Sequence, residues 1–194
     1  MALRRGGRPS AVARQILVLQ TLVVAVVVVG AVVLAFVDAR RTQLDSARDR
    51  SVAVAQTVAD APTVREALGT ERPSAAIQPY AEQVRADSGT DFVVVMGLDR
   101  TRFSHPTPGR IGEQFIGDLG DAPAGEVFTQ EYTGTLGPSM RAVVPVVDNG
   151  EVVALVSVGI TLDRIDQELR SRLVPIGLSA LLILAVGFAG AWLI

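Results

Sequence analysis

Two uninterrupted apolar runs, residues 15–37 and 173–194, hold 23 and 22 residues with no Asp, Glu, Lys, Arg or His. A bilayer core of roughly 30 Å takes about 20 apolar residues as a helix, so each run is long enough to span. They bracket 135 polar-containing residues. The expected layout is a cytoplasmic segment at 1–14, a transmembrane helix at 15–37, a domain at 38–172 and a second transmembrane helix at 173–194. Arg4, Arg5, Arg8 and Arg14 precede the first run with no acid among them. Short cytoplasmic flanks carry the positive charge, which puts the N-terminus inside and the domain outside. A cleaved secretory signal is the alternative for the first run, with 37–39 as a cleavage site, but its 23 residues exceed the 7 to 15 of a signal's apolar region. The second run ends at Ile194 with no inner flank, so the sequence reads as the N-terminal part of a longer protein, against the alternative of a complete small one.

Composition narrows the classes of partner. All 18 basic residues are Arg, and the 20 acids all lie between Asp38 and Glu168. The domain holds 14 of the arginines, and 14 minus 20 leaves a formal charge of −6. Such a charge argues against nucleic acid or an anionic lipid surface. Any anion must therefore be caught by a local positive pocket. No Cys is present, so stability comes from packing, and about 135 residues suffice for one core.

Hydrophobic spacing predicts helices first and strands afterwards. Leu44, Ala47, Val54 and Val58 recur at helical spacing, so a helix continues outward from the first span until Pro62. A short helix at 63–68 and another opening at Ser74 and closed by Gly89 follow. Residues 92–96, 101–104, 126–133, 138–147 and 151–161 read as five strands. Asn149 and Gly150 give the strongest hairpin signal, because Asn-Gly accepts the positive φ of tight turns. Residues 162–172 form an exit helix with Leu162, Ile165 and Leu169 on one stripe. This order implies an α+β domain: a five-stranded antiparallel sheet with helices on one side.

Three side chains carry candidate chemistry. Alternation places Arg141 on one strand face with Val143, Pro145 and Val147, and Met140, Ala142, Val144 and Val146 on the other. An unpaired buried charge costs several kcal/mol, so this guanidinium requires an anionic partner, either a protein carboxylate or a bound one. Arg102 and His105 flank the end of the 101–104 strand, where Pro106 biases His105 towards an extended conformation. Together the three would form an anion cage, with Arg forks suited to planar carboxylates. Enzymatic constellations are poor. Adjacent Ser104 and His105 cannot act as nucleophile and base, and 137–141 lacks the last glycine of a nucleophile elbow. One His and no Cys do not make a zinc site. Asp118, Asp121 and Glu126 lack calcium-loop spacing and read as a solvated loop.

The phrases Arg-Phe-Ser-His-Pro-Thr-Pro at 102–108, Arg-Ile-Gly at 110–112, Gly-Thr-Leu-Gly-Pro-Ser-Met-Arg at 134–141 and Val-Ser-Val-Gly-Ile-Thr at 156–161 resemble, in order and spacing, the signatures of the citrate and C4-dicarboxylate sensor histidine kinases of CitA/DcuS type. The resemblance implies an extracytoplasmic PAS-like domain, also called a PDC or single Cache domain, in a multi-pass bacterial membrane protein. It implies that Arg102, His105 and Arg141 hold ligand carboxylates, that Phe115 lines the pocket, and that Thr135, Leu136 and Ser157 lie near the ligand. Citrate sensors have a Lys two residues after the strand Arg, whereas Val143 stands there in this chain, as an apolar residue does in dicarboxylate sensors. That favours a dianion such as fumarate, succinate or malate. The resemblance further implies a homodimer, a cytoplasmic PAS domain and kinase core using ATP and Mg, and a response regulator in a two-component phosphorelay. Ligand closure of the sheet would pull on 151–172 and shift the second span. Two other outcomes stay open: the sensor region of a chemoreceptor or other transmembrane signalling protein, and a ligand-free interaction module in which Arg141 pairs with a protein carboxylate.

Overall fold

The computed structural model of the chain describes residues 11–134, 137–163, 167, 171, 174–182 and 185. The elements run α1 (Ala11–Ala59), α2 (Pro62–Leu68), α3 (Ser74–Ser88), β1 (Phe92–Gly97), β2 (Phe128–Gly134), β3 (Gly137–Asp148) and β4 (Glu151–Thr161). Short 3₁₀ turns occupy Pro108–Arg110 and Ala122–Ala124. The chain divides into two compact units, Thr42–Gln167 and a second drawn from both chain ends. In the second unit, α1 exposes its apolar side chains, Leu22 and Leu34 among them. Among the described residues one helix, α1, is long and apolar enough to cross a membrane by length and composition. Residues 174–182 are helical as well. Of the expected exit helix, Leu162 and Asp163 are helical, and most of the remainder of 162–172 lies outside the described residues, as do 1–10.

Within Thr42–Gln167 the sequence punctuation fixes the helix ends. Pro62 occupies the first turn of α2, where its missing N–H has no partner to lose. Gly89 closes α3 in the left-handed region at φ 65°. The four strands pair antiparallel throughout in the order β1-β4-β3-β2. Asn149 and Gly150, with φ of 51° and 86°, form the tight link between β3 and β4. One face of the sheet packs Val93, Val95, Val144, Val156 and Val158 against Ala55, Val58, Val64 and Ile77 of the helices. The other face sets Phe92, Val94, Met96, Val143 and Leu155 under Phe115, Leu119 and Ala122 of the long connection between β1 and β2. Both faces are thus covered, which explains why β1 is a continuous apolar run rather than an alternating one.

The sheet has four strands, not the expected five. Segment 101–104 touches β1 through an isolated bridge, Met96 to Arg102, and the loop through another, Thr101 to Gln114. The reason lies in Ser104. Its Oγ accepts the Val95 N–H at 2.8 Å and donates to the Val93 carbonyl at 3.2 Å. A side chain thereby takes the place of the next ladder bond, and the strand ends before it begins. At the opposite end of β1, the Asp91 carboxylate accepts the Thr161 N–H at 2.7 Å and its hydroxyl at 3.0 Å, fastening the last residue of β4 to the residue before β1.

Replacing Ser104, which is fully buried, by Ala strands the Val95 N–H and loosens the 101–104 segment. The expected loss is about 1–3 kcal/mol of unfolding free energy. Denaturant titration of the wild-type and Ser104→Ala chains measures it, and equal midpoints would contradict this role.

Candidate functional site

The segment after β1 turns at Arg100, whose φ is 71°. Arg102 then lies between two partners: its N–H donates to the Glu113 carbonyl at 3.1 Å, and its own carbonyl accepts the Gly112 N–H at 2.9 Å. Phe103 next to it packs towards the helices. Alternation therefore sends the Arg102 side chain to the loop-covered side of the sheet. Arg141 arrives on the same side from β3, where it pairs with Gln130 and Gly159. Its strand neighbours divide between the faces as alternation predicts, with Val143 among the loop-side residues and Val144 and Val146 against the helices.

Between this sheet face and the loop is a cavity of about 420 Å³, its open mouth included. Arg102, His105, Phe115 and Arg141 line it, joined by Phe92, Val94, Ile116, Gly117, Tyr132, Gly134, Gly137 and Ser139. Four of the seven residues expected at a ligand site thus meet there. Ser157 sits on the same face, paired with Val94 and Val143. It is fully buried, its Oγ has no hydrogen-bond partner among the described residues, and it lies outside the cavity wall. Thr135 and Leu136 lie outside the described residues, though Gly134 and Gly137 on either side of them line the cavity.

The two arginines are 2% and 3% exposed, and each keeps a buried Nε without a hydrogen-bond partner among the described residues. Both guanidinium carbons lie over the Phe115 ring, at 5.9 Å for Arg102 and 5.4 Å for Arg141. Arg141 also stacks on Tyr132 at 4.1 Å and donates from Nη2 to the Asp118 carbonyl at 2.5 Å. Among the described residues no carboxylate pairs with Arg141. Arg102 differs: its Nη1 lies 3.3 Å from the Glu113 carboxylate, a half-exposed group that also meets Arg110 at 3.4 Å. Burial pushes both guanidinium pKa values down; for Arg102 the Glu113 charge, and for Arg141 Tyr132 and Asp118, act in the opposite sense. Aromatic faces and carbonyls ease the charge of Arg141 without neutralising it.

His105 is 3% exposed. Its Nδ1 accepts the Thr107 N–H at 2.9 Å and lies 3.2 Å from the Thr107 carbonyl. The first contact fits the neutral ring and the second fits the protonated one, so one residue can serve both states. Burial, followed by the Arg102 charge, holds the His105 pKa below its ordinary value.

Sequence reasoning did not find Phe92, Ile116, Gly117, Tyr132 and Ser139. The register explains Tyr132: it faces Ser139 across β2 and β3, diagonal to Arg141. Its hydroxyl donates to the Ile116 carbonyl at 3.1 Å, tying strand to loop. Gly117 is required sterically, since a Cβ there would run into the Arg141 guanidinium and the Phe115 ring. Among the described residues no group of three His, Asp or Glu side chains is placed to hold a metal ion.

Residues 38–174 match the profile of the family described as single cache domain 3. The sensor protein CitS of Halalkalibacterium halodurans is 39% identical over 157 residues, 79% of this chain and 29% of that protein. A protein of Bacillus subtilis described as a probable C4-dicarboxylate sensor kinase is 30% identical over 157 residues, 80% of this chain and 29% of that one. The crystal structure of the Escherichia coli DcuS sensor domain superimposes with a TM-score of 0.63 at 33% identity, over 66% of this chain and 98% of that domain. The chain spans less than a third of the length of these two curated relatives.

The buried His105 makes stability depend on pH. The unfolded chain protonates this residue near 6.5 while the folded domain resists protonation, so the unfolded state binds more protons below that pH. Stability is full above 6.5, falls as pH drops through the window between 6.5 and the lower folded-state pKa, and then levels off. Thermal unfolding between pH 7.5 and 5.5 should show this decline, and His105→Asn should flatten it.

Proposed function

The chain belongs to the single cache domain 3 family, as the sensor region of the CitA/DcuS type of sensor histidine kinase, and on that premise we propose that its cavity binds a small dicarboxylate, with a C4 dianion favoured. The observation that carries this reading is Arg141, a guanidinium 3% exposed that has rings and a carbonyl for neighbours and, among the described residues, no carboxylate in an ion pair with it. A second cation, Arg102, shares its aromatic neighbour. Two like charges at low dielectric repel unless an anion enters between them. A dianion with a carboxylate at each end answers both, and Arg forks recognise planar carboxylates bidentately. Arg102 already has a rim partner in Glu113, as a purely structural pairing requires; among the described residues Arg141 has no such partner.

The count of charges favours a C4 acid over citrate. Val143, two residues after Arg141, is fully buried against the apolar loop side, where a third cation would be needed to balance a third carboxylate. Phe92, Phe115 and Tyr132 line the cavity beside the two arginines. The name borne by the Bacillus subtilis relative is in keeping with this choice.

The family and the apolar runs support a wider setting for the domain. The domain at 38–172 stands outside the cell membrane, anchored by 15–37 and 173–194, with 1–14 in the cytoplasm. The exposed apolar length of α1 is satisfied by hydrocarbon rather than by water. The full protein is a homodimeric two-component kinase whose ATP-dependent core phosphorylates a response regulator. A ligand moves such a receptor only by binding one conformation better than another.

Two or three charge-assisted contacts of about 1.5–3 kcal/mol each predict dissociation constants between millimolar and micromolar. A bound dianion raises the His105 pKa, so binding takes up protons and is tighter at pH 6 than at pH 8. Titration calorimetry of succinate and fumarate with the 194-residue chain in lipid nanodiscs should show this preference, and citrate should bind more weakly than either. Arg141→Ala should lower succinate affinity by at least about a hundredfold. An Arg141→Ala chain that binds succinate as well as wild type would overturn the proposal, and equal affinities at both pH values would remove His105 from it.

A further inference from the structure

We infer that Gln78, on helix α3, is the positioning residue that sets His105 in the ligand cavity. The inference rests on the dicarboxylate reading for its consequence but on separate contacts for its geometry. The Gln78 side chain closes a ring of two hydrogen bonds with one residue's main chain: its Oε1 accepts the His105 N–H at 2.9 Å, and its Nε2 donates to the His105 carbonyl at 3.1 Å. A side-chain amide offers one acceptor and donors in the same plane as a peptide, so the pair mimics a strand rung.

The rung replaces what the sheet withdraws. Phe103 and Ser104 still donate their N–H groups to the Val95 carbonyl, at 2.7 and 3.3 Å. Beyond Ser104 the bridge to β1 has ended, and the following Pro106 has no N–H to continue it. His105 is thus the first residue past the last β1 contact, and a helix side chain takes over there. Gln78 follows Ile77, which is fully buried in the core between helices and sheet, so its backbone is anchored. The link passes the end of the 101–104 segment that borders β1: its base belongs to the helix layer, and its tip holds a residue that lines the cavity on the other face. Releasing the His105 main chain would let the imidazole withdraw from Arg102 towards solvent. Among the described residues, Arg102, Arg110 and Glu113 act on the ring by charge, with Thr107 at its Nδ1; α3 contributes the uncharged amide of Gln78.

His105 is the single histidine of the chain, which gives the test an unambiguous signature. Histidine-labelled chain in nanodiscs is titrated by NMR, with and without succinate, for wild type and Gln78→Met, a substitution that keeps the length and removes both bonds. The expected result is a His105 pKa that returns towards its ordinary value in Gln78→Met, a smaller rise on adding succinate, and about a tenfold loss of succinate affinity. Gln78→Glu, which keeps the acceptor and loses the donor, gives the affinity reading if Gln78→Met does not fold, with a loss expected there as well. A folded Gln78→Met chain with the wild-type titration curve, or a Gln78→Glu chain with wild-type affinity, would overturn the inference. If wild type shows no response to succinate, the dicarboxylate reading fails, and the ligand-free titrations still decide whether Gln78 governs His105.

Discussion

Two guanidinium groups buried over one phenylalanine ring set the terms for everything around them. Arg102 and Arg141 approach Phe115 from different elements, one from the segment that leaves β1 and one from the middle of β3. The domain carries a net negative charge, yet none of its acids pairs with Arg141 among the described residues. Holding a cation in that state requires a framework that resists collapse. Much of the fold can be read as that framework: the Asp118 carbonyl on the guanidinium, Tyr132 beneath it, and a glycine at 117 where any side chain would displace it.

The two faces of the sheet divide the labour. Helices bury one face with aliphatic residues and give the sheet its rigidity. The other face is covered by a connection with little regular structure, held by contacts such as Arg100 Nη1 to the Gly117 carbonyl at 3.1 Å. Loop carbonyls turned towards a cavity can solvate cations in a way that strand carbonyls, already spent on the ladder, cannot. Binding chemistry therefore collects on the irregular side, while the regular side supplies the fixed positions of Arg141 and Phe92.

Local signals made much of this readable from residues alone. Proline and glycine placed the helix ends at Pro62 and Gly89, Asn149-Gly150 placed the hairpin, and period-two spacing put Arg141 on the right face with Val143. The fifth strand was misread because propensity favours Thr101 and Phe103 in a strand, whereas the outcome turned on where one hydroxyl, that of Ser104, finds its partners. Tyr132, Phe92 and Gly117 were invisible for a different reason. Their place in the cavity depends on strand register and on how the loop folds back over the sheet, and neither is encoded in the spacing of any one segment. The Gln78 contact spans 27 positions, and no short-range pattern announces it.

The clasp between Asp91 and Thr161 has a mechanical meaning. It joins the start of one edge strand to the finish of its neighbour, at the point where the polypeptide leaves the sheet for Leu162 and Asp163. That corner adds two hydrogen bonds to the ladder that already pairs β1 with β4. A small rotation of this strand pair, whatever drives it, would reach the departing backbone as leverage rather than be absorbed as local fraying.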